Sequence, residues 1–144
     1  MYNARKYQET QVMTASPMQL VLMMYDECIQ TLERAEAAFA IEGPDRIPNI
    51  NNHILHAEDI ITELAVSLDM EKGGEIAKNL HRLYDFMIFY LSQANVKHLL
   101  TPVQEVRKMM LELREAWGKV SDQEPQRTDM PAAGLGKSSI LING

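Results

Sequence analysis

Residues 14–27 read Thr14-Ala15-Ser16-Pro17-Met18-Gln19-Leu20-Val21-Leu22-Met23-Met24-Tyr25-Asp26-Glu27, and three signals in a row start a helix there. Ser16 is a strong N-cap type. Pro17 suits the first helical position, where its missing N–H has no intrahelical partner to lose, and Gln19 completes a Ser-x-x-Gln capping box. From there Met18, Val21, Tyr25, Cys28, Leu32, Ala35 and Phe39 recur at alternating steps of three and four, the seam of a coiled-coil-like helix.

The same alternation returns three more times. After the break Gly43-Pro44…Pro48, a second track runs Ile50, Ile54, Ala57, Ile61, Leu64, Leu68, and predicts a helix ending near Asp69. Gly73-Gly74 then supplies a permissive backbone for a reversal. A third track places Ile76, Leu80, Leu83, Met87, Tyr90 and Ala94 on one seam, with Lys97 and His98 near its end, where cations suit the helix dipole. Thr101-Pro102-Val103-Gln104 repeats the cap, proline and capping-box glutamine of the first helix, and Val103, Val106, Met110, Leu113, Trp117 and Val120 follow. Four helices of matched length joined by short connections pack as antiparallel neighbours. The expected fold is therefore all-α, an up-down-up-down four-helix bundle over residues 16–121, with an N-terminal arm over 1–15 and a mobile Pro/Gly/Ser-rich tail over 122–144 that carries a late apolar cluster, Ile140 to Ile142.

The helices hold more apolar residues than one core needs, since a bundle helix requires about three per heptad. Helix one adds Leu20, Leu22, Met23, Met24 and Ile29 beside its seam, helix two adds Leu55, Ile60, Ala65 and Val66, and helix three carries a complete second stripe, Leu80-Tyr84-Met87-Leu91-Ala94. Part of this surplus widens the core. The rest is expected at the surface, where contiguous apolar patches mark binding sites, and the ten methionines suit grooves that adapt to a partner.

Other functions are argued against by what the chain holds. Fourteen Lys and Arg against twenty Asp and Glu give a formal charge of −6 with no basic stripe, a poor basis for binding nucleic acid. The polar N-terminus is no signal peptide, and no run approaches the 18 or so apolar residues of a membrane span, so the expected localisation is cytoplasmic without membrane insertion. One cysteine makes no disulfide framework, and Cys28 reads as a small hydrophobe on the core seam. His53 and His56 lie three apart but lack a third ligand, and bundle metal sites need Glu-x-x-His pairs. Asp26, Glu27, Glu58 and Asp59 read as solvated helix faces. No phosphate loop or nucleophile motif is present, so no cofactor and no enzymatic activity are expected.

Three segments together, Thr14 to Gln30, Ala57 to Asn95 and Glu105 to Val120, closely resemble the flagellar secretion chaperone FliS family. Leu83-Tyr84-Asp85-Phe86-Met87, Ala94-Asn95 and Ala116-Trp117 make the resemblance specific, and it covers roughly residues 1–121. It implies a cytosolic chaperone that binds the disordered C-terminal segment of flagellin in apolar surface grooves, prevents premature polymerisation and supports type III flagellar export. It also implies an arm able to lie over the groove. Phe89-Tyr90 and Val96-Lys97-His98-Leu99 depart from the family pattern and make helix three more apolar. On this reading the client-binding candidates are Tyr7, Leu20, Met23, Met24, Ile54, Ile61, Leu64, Leu80, Tyr84, Met87, Leu91 and Asn95. The protein is expected to be a monomer or weak homodimer, with the flagellar export gate and other flagellar regulators as further possible partners. The alternative is a helical adaptor that binds another export component or an anti-sigma factor.

Overall fold

The computed structural model describes residues 16–123, with side-chain surroundings given for residues 16–121. Four helices follow one another: α1 (Pro17–Ala40), α2 (Arg46–Val66), α3 (Gly74–Lys97) and α4 (Leu100–Gln123). Extensive contacts join α1 to α2, α2 to α3, α3 to α4 and α4 back to α1, so the chain runs up and down around a square. That is the expected all-α four-helix bundle.

The start of α1 is built as its sequence dictates. The Ser16 side chain accepts from the Gln19 N–H at 3.2 Å while the Gln19 side chain accepts from the Ser16 N–H at 2.9 Å. Two orphan donors of the first turn are thereby satisfied.

The other ends differ from expectation by a few residues, for local reasons. Helix α2 begins at Arg46, so Pro48 sits inside its first turn, where a proline removes no intrahelical hydrogen bond. It ends at Val66, because Asp69 organises the reversal rather than the helix: its Oδ1 accepts from the N–H groups of Glu71 and Lys72 at 3.1 and 2.9 Å. Gly74 has φ +53, a left-handed conformation that glycine adopts at no steric cost. At the far end of α3, His98 takes the left-handed position itself, with φ 55, and the Leu99 N–H returns to the Ala94 carbonyl at 3.0 Å. Helix α4 then starts at Leu100, one residue before the expected cap, so Thr101 and Pro102 fall within its first turn instead of flanking it.

The seams of α1, α2 and α4 form the core much as their spacing predicts. Val21, Tyr25, Cys28, Leu32 and Ala35 face Ile50, Ile54, Ala57, Ile61 and Leu64, and Val103, Val106, Met110, Trp117 and Val120 close the far side. On α3 the reading needs correction. Ala77, Tyr84, Met87, Leu91 and Ala94 are buried, whereas Leu80, Leu83 and Tyr90 pack only partly against the core. The two stripes share Leu80, Met87 and Ala94; Tyr84 and Leu91 of the stripe taken as surplus are core together with Ile76 of the expected seam, whereas Leu83 and Tyr90 flank it. Both stripes have heptad spacing, so sequence alone does not rank them. The Tyr25 and Tyr84 hydroxyls hydrogen-bond across the bundle, which goes with the rotation of α3 that buries Tyr84 and Leu91.

Candidate functional site

Helices α1 and α2 leave an open apolar groove between their outer edges. Leu20, Met23 and Met24 line it from α1 and Ile60 from α2, with Glu27, His56 and Glu63 on the rim, and its volume is about 590 Å³. The spacing explains it. Positions 20, 23, 24 and 27 form one strip beside the α1 seam, and 56, 60 and 63 form the facing strip on antiparallel α2. Met24 also packs against the core, so the groove floor is continuous with the interior. Two unbranched thioether side chains make a lining that can repack around different shapes.

The rim is held by polar contacts centred on Glu27. Its Oε2 accepts from Thr31 Oγ1 at 3.3 Å and lies 3.3 Å from His56 Nε2 and 3.8 Å from Arg34. These contacts tie α1 to α2 at the top of the groove. Charges beside the seams are thus less purely solvated than the sequence suggests: Arg114 of α4 donates to Asp26 at 2.9 and 3.4 Å, Arg107 pairs with Glu36, and Ser92 of α3 donates to Glu58 at 3.2 Å. Burial raises the Glu58 carboxyl above its usual range, Asp59 adds to this, and the Ser92 bond opposes it.

The twelve candidates separate into distinct groups. Leu20, Met23 and Met24 meet in the groove. Ile54, Ile61, Leu64, Tyr84, Met87 and Leu91 are instead core residues, each at most 2% exposed. A side chain with no exposed surface cannot touch a client while the bundle is closed, so these six are corrected from groove lining to core. Leu80 is half-buried against the same core. Asn95 is half-buried on α3, and its Oδ1 has no hydrogen-bond partner among the described residues. Tyr7 lies outside the described residues. The groove residues not chosen from sequence were Glu27, His56, Ile60 and Glu63, although the 56/60/63 step beside the α2 seam carried the signal.

Two further surfaces flank the groove's helices. A cleft of about 400 Å³ at the α1–α2 turn is lined by Arg34, Asp45, Arg46, Asn49 and His53 among others. Arg46 is engaged there, donating to the Phe39 carbonyl at 3.1 Å and lying 5.7 Å from the centre of the Phe39 ring. His53 is held below its usual pKa by burial first, then by Arg34 and His56. On α3, Phe86 and Phe89 are exposed, with Phe86 5.3 Å from the Tyr90 ring. The cleft is smaller than the groove and has no methionine in its lining, and the α3 aromatics stand exposed on a helix face.

Nothing in the groove points to catalysis. Cys28 is buried in the core, and burial first, then the nearby Glu27 carboxylate, pushes its thiol up to about 12, far from the reactive thiolate range. Among the described residues no three of His, Cys, Asp and Glu gather as a metal set, and no helix is long and apolar enough to cross a membrane.

A sequence model of the family described as "Flagellar protein FliS" matches residues 1–124. "Flagellar secretion chaperone FliS" of Salmonella typhimurium is 40% identical over 114 residues, which cover 78% of this chain and 82% of the relative. The protein of the same name from Vibrio cholerae is 35% identical over 128 residues, 89% of this chain and 90% of its own, and that from Bacillus subtilis is 33% identical over 118 residues, 82% and 85%. These are names of a chaperone and of no enzyme. The match runs through all four helices and the groove between α1 and α2, and the chain belongs to the FliS family of flagellar secretion chaperones.

Proposed function

We propose that this flagellar secretion chaperone acts in the cytoplasm and holds the disordered C-terminal segment of flagellin, with an amphipathic stretch of that segment seated in the α1–α2 groove. Holding the segment there keeps flagellin from polymerising before it reaches the type III export machinery. The observation that carries the reading is the groove itself. Leu20, Met23, Met24 and Ile60 offer an apolar trough whose floor, Ile60 and Met24, belongs to or packs on the core, while Leu20 and Met23 stand outside the core cluster. Helical ligands read such troughs through anchors at i, i+3, i+4 and i+7. Ordering a disordered segment lowers the affinity per unit area, which suits a client that has to be released.

The test is calorimetric titration of the purified protein with the C-terminal segment of flagellin from the same organism. The expected result is one-to-one binding with a negative heat-capacity change, the mark of apolar burial. Leu20 and Met23 line the groove without belonging to the core cluster, so Leu20→Glu with Met23→Glu should weaken binding at least about tenfold while thermal stability stays within a few degrees. Unchanged affinity in the folded double variant would move the client to another face, and absence of binding by the unmodified protein would move the reading to a different export component.

A further inference from the structure

The register of the helices brings the last residues of α4 close to the α1–α2 groove. Arg107 pairs with Glu36, Arg114 with Asp26, and Trp117 with Tyr25. Continuing that antiparallel ladder to Gln123 sets the end of α4 level with the first turns of α1, where Leu20 and Met23 open the groove. The groove lies on the opposite flank of α1 from α4, so about one helix diameter, some 10 Å, separates the two.

Beyond Gln123 the sequence continues through residues 124–144, almost entirely past the family match, which stops at residue 124. Its one cluster of bulky aliphatic residues is Ile140-Leu141-Ile142, joined to the bundle by a stretch with the Pro, Gly and Ser content of a linker. At about 3.3 Å per residue, the chain between Gln123 and Ile140 reaches over roughly 50 Å. Charge adds direction. The groove rim carries Glu63 and Glu27, the latter already engaged by His56 and Arg34, whereas residues 130–144 hold no acidic residue and one cation, Lys137, three positions before the triplet.

We propose that Ile140-Leu141-Ile142 is an intramolecular occupant of the α1–α2 groove, with Lys137 at its acidic rim. The triplet shields Leu20, Met23 and Met24 from water and from unrelated apolar chains until a better-fitting segment displaces it. Tethering raises its local concentration to the order of millimolar, so a contact too weak to persist between separate molecules is enough. This concerns the groove itself and holds whichever client finally enters.

Methyl resonances of carbon-13-labelled methionines test it. Met23 and Met24 report on the groove, and Met87 and Met110 on the closed core. In the full chain, Ile140→Asp with Ile142→Asp is expected to shift the Met23 and Met24 methyl signals and leave Met87 and Met110 in place, and ending the chain at Gln123 should reproduce the same shift. A several-fold gain in affinity for the flagellin segment should accompany both changes. The proposal is overturned if Met23 and Met24 do not move, if they move only when residues 1–13 are removed, or if the shift depends on protein concentration, which would make the occupant a second copy. Because the methyl signals are read without any client, failure of the tail proposal and failure of flagellin to bind remain distinguishable.

Discussion

Tyr25 on α1 and Tyr84 on α3 join hydroxyl to hydroxyl across the diagonal of the bundle, and Trp117 of α4 donates its indole N–H to the Tyr25 oxygen at 3.0 Å. All three are at most 2% exposed. Burial pushes the Tyr25 phenol up to about 12 and raises Tyr84 well above its usual value, so both remain protonated at any working pH. This chain of polar groups links three helices through an otherwise apolar interior, where each unmet partner carries a desolvation penalty.

Tyr25 is the middle member, so its loss should exceed that of Tyr84. Tyr84→Phe is expected to cost about 1–2 kcal/mol, leaving Tyr25 still paired with Trp117. Tyr25→Phe should cost about 2–4 kcal/mol because it strands both Trp117 and Tyr84. Urea unfolding followed by Trp117, the sole tryptophan, measures both. Equal costs would show that the hydroxyl chain contributes little beyond ring packing.

Leu91 gives a second prediction, one that separates core from surface. With no exposed surface in the bundle centre, Leu91→Asp would bury a charge without a partner, and the bundle is expected to unfold rather than simply lose binding. Circular dichroism of the variant checks this. A helical, cooperatively unfolding Leu91→Asp protein would mean that α3 is able to rotate.

The capping box at Ser16 can be tested alone. Ser16→Ala removes the oxygen that accepts from the Gln19 N–H and should lower stability by about 1 kcal/mol. Ser16→Gly should cost only a few tenths of that. Denaturation midpoints of the two variants compare them, and similar losses would show that the missing oxygen, which both variants lack, sets the whole cost and that glycine's backbone freedom offsets none of it.

Glu58 predicts a pH dependence. Its carboxyl is raised in the folded protein, so its favourable contribution is complete below the unfolded value of about 4.3 and is lost as pH rises through the folded value. Glu58→Gln imitates the protonated form and can still accept from Ser92. It should be more stable than the parent at pH 7 by a few tenths of a kcal/mol, a small effect because the site is partly solvated, and the difference should close towards pH 4. Urea titrations at both pH values read it. A less stable variant at pH 7 would show that the Ser92 bond to the charged carboxylate outweighs burial.

The four helices, their order and the cap of α1 were legible in the sequence, because helix periodicity and Ser-Pro-x-Gln chemistry are local properties of the chain. The groove was partly legible: Leu20, Met23 and Met24 stood out as apolar residues beside a complete seam. What the sequence could not rank was the pair of overlapping stripes on α3, since Leu83 with Tyr90 and Tyr84 with Leu91 satisfy the same heptad. Only the packed bundle chose between them. In the packed bundle Tyr84 and Leu91 are core, and the Tyr84 hydroxyl meets Tyr25 in the centre. Tertiary structure also decided where the surplus surfaced, because Ile60 and Glu63 of α2 meet Met23 only after the helices align antiparallel. Periodicity assigns each residue a face of its own helix, and the contacts between helices decide which faces meet.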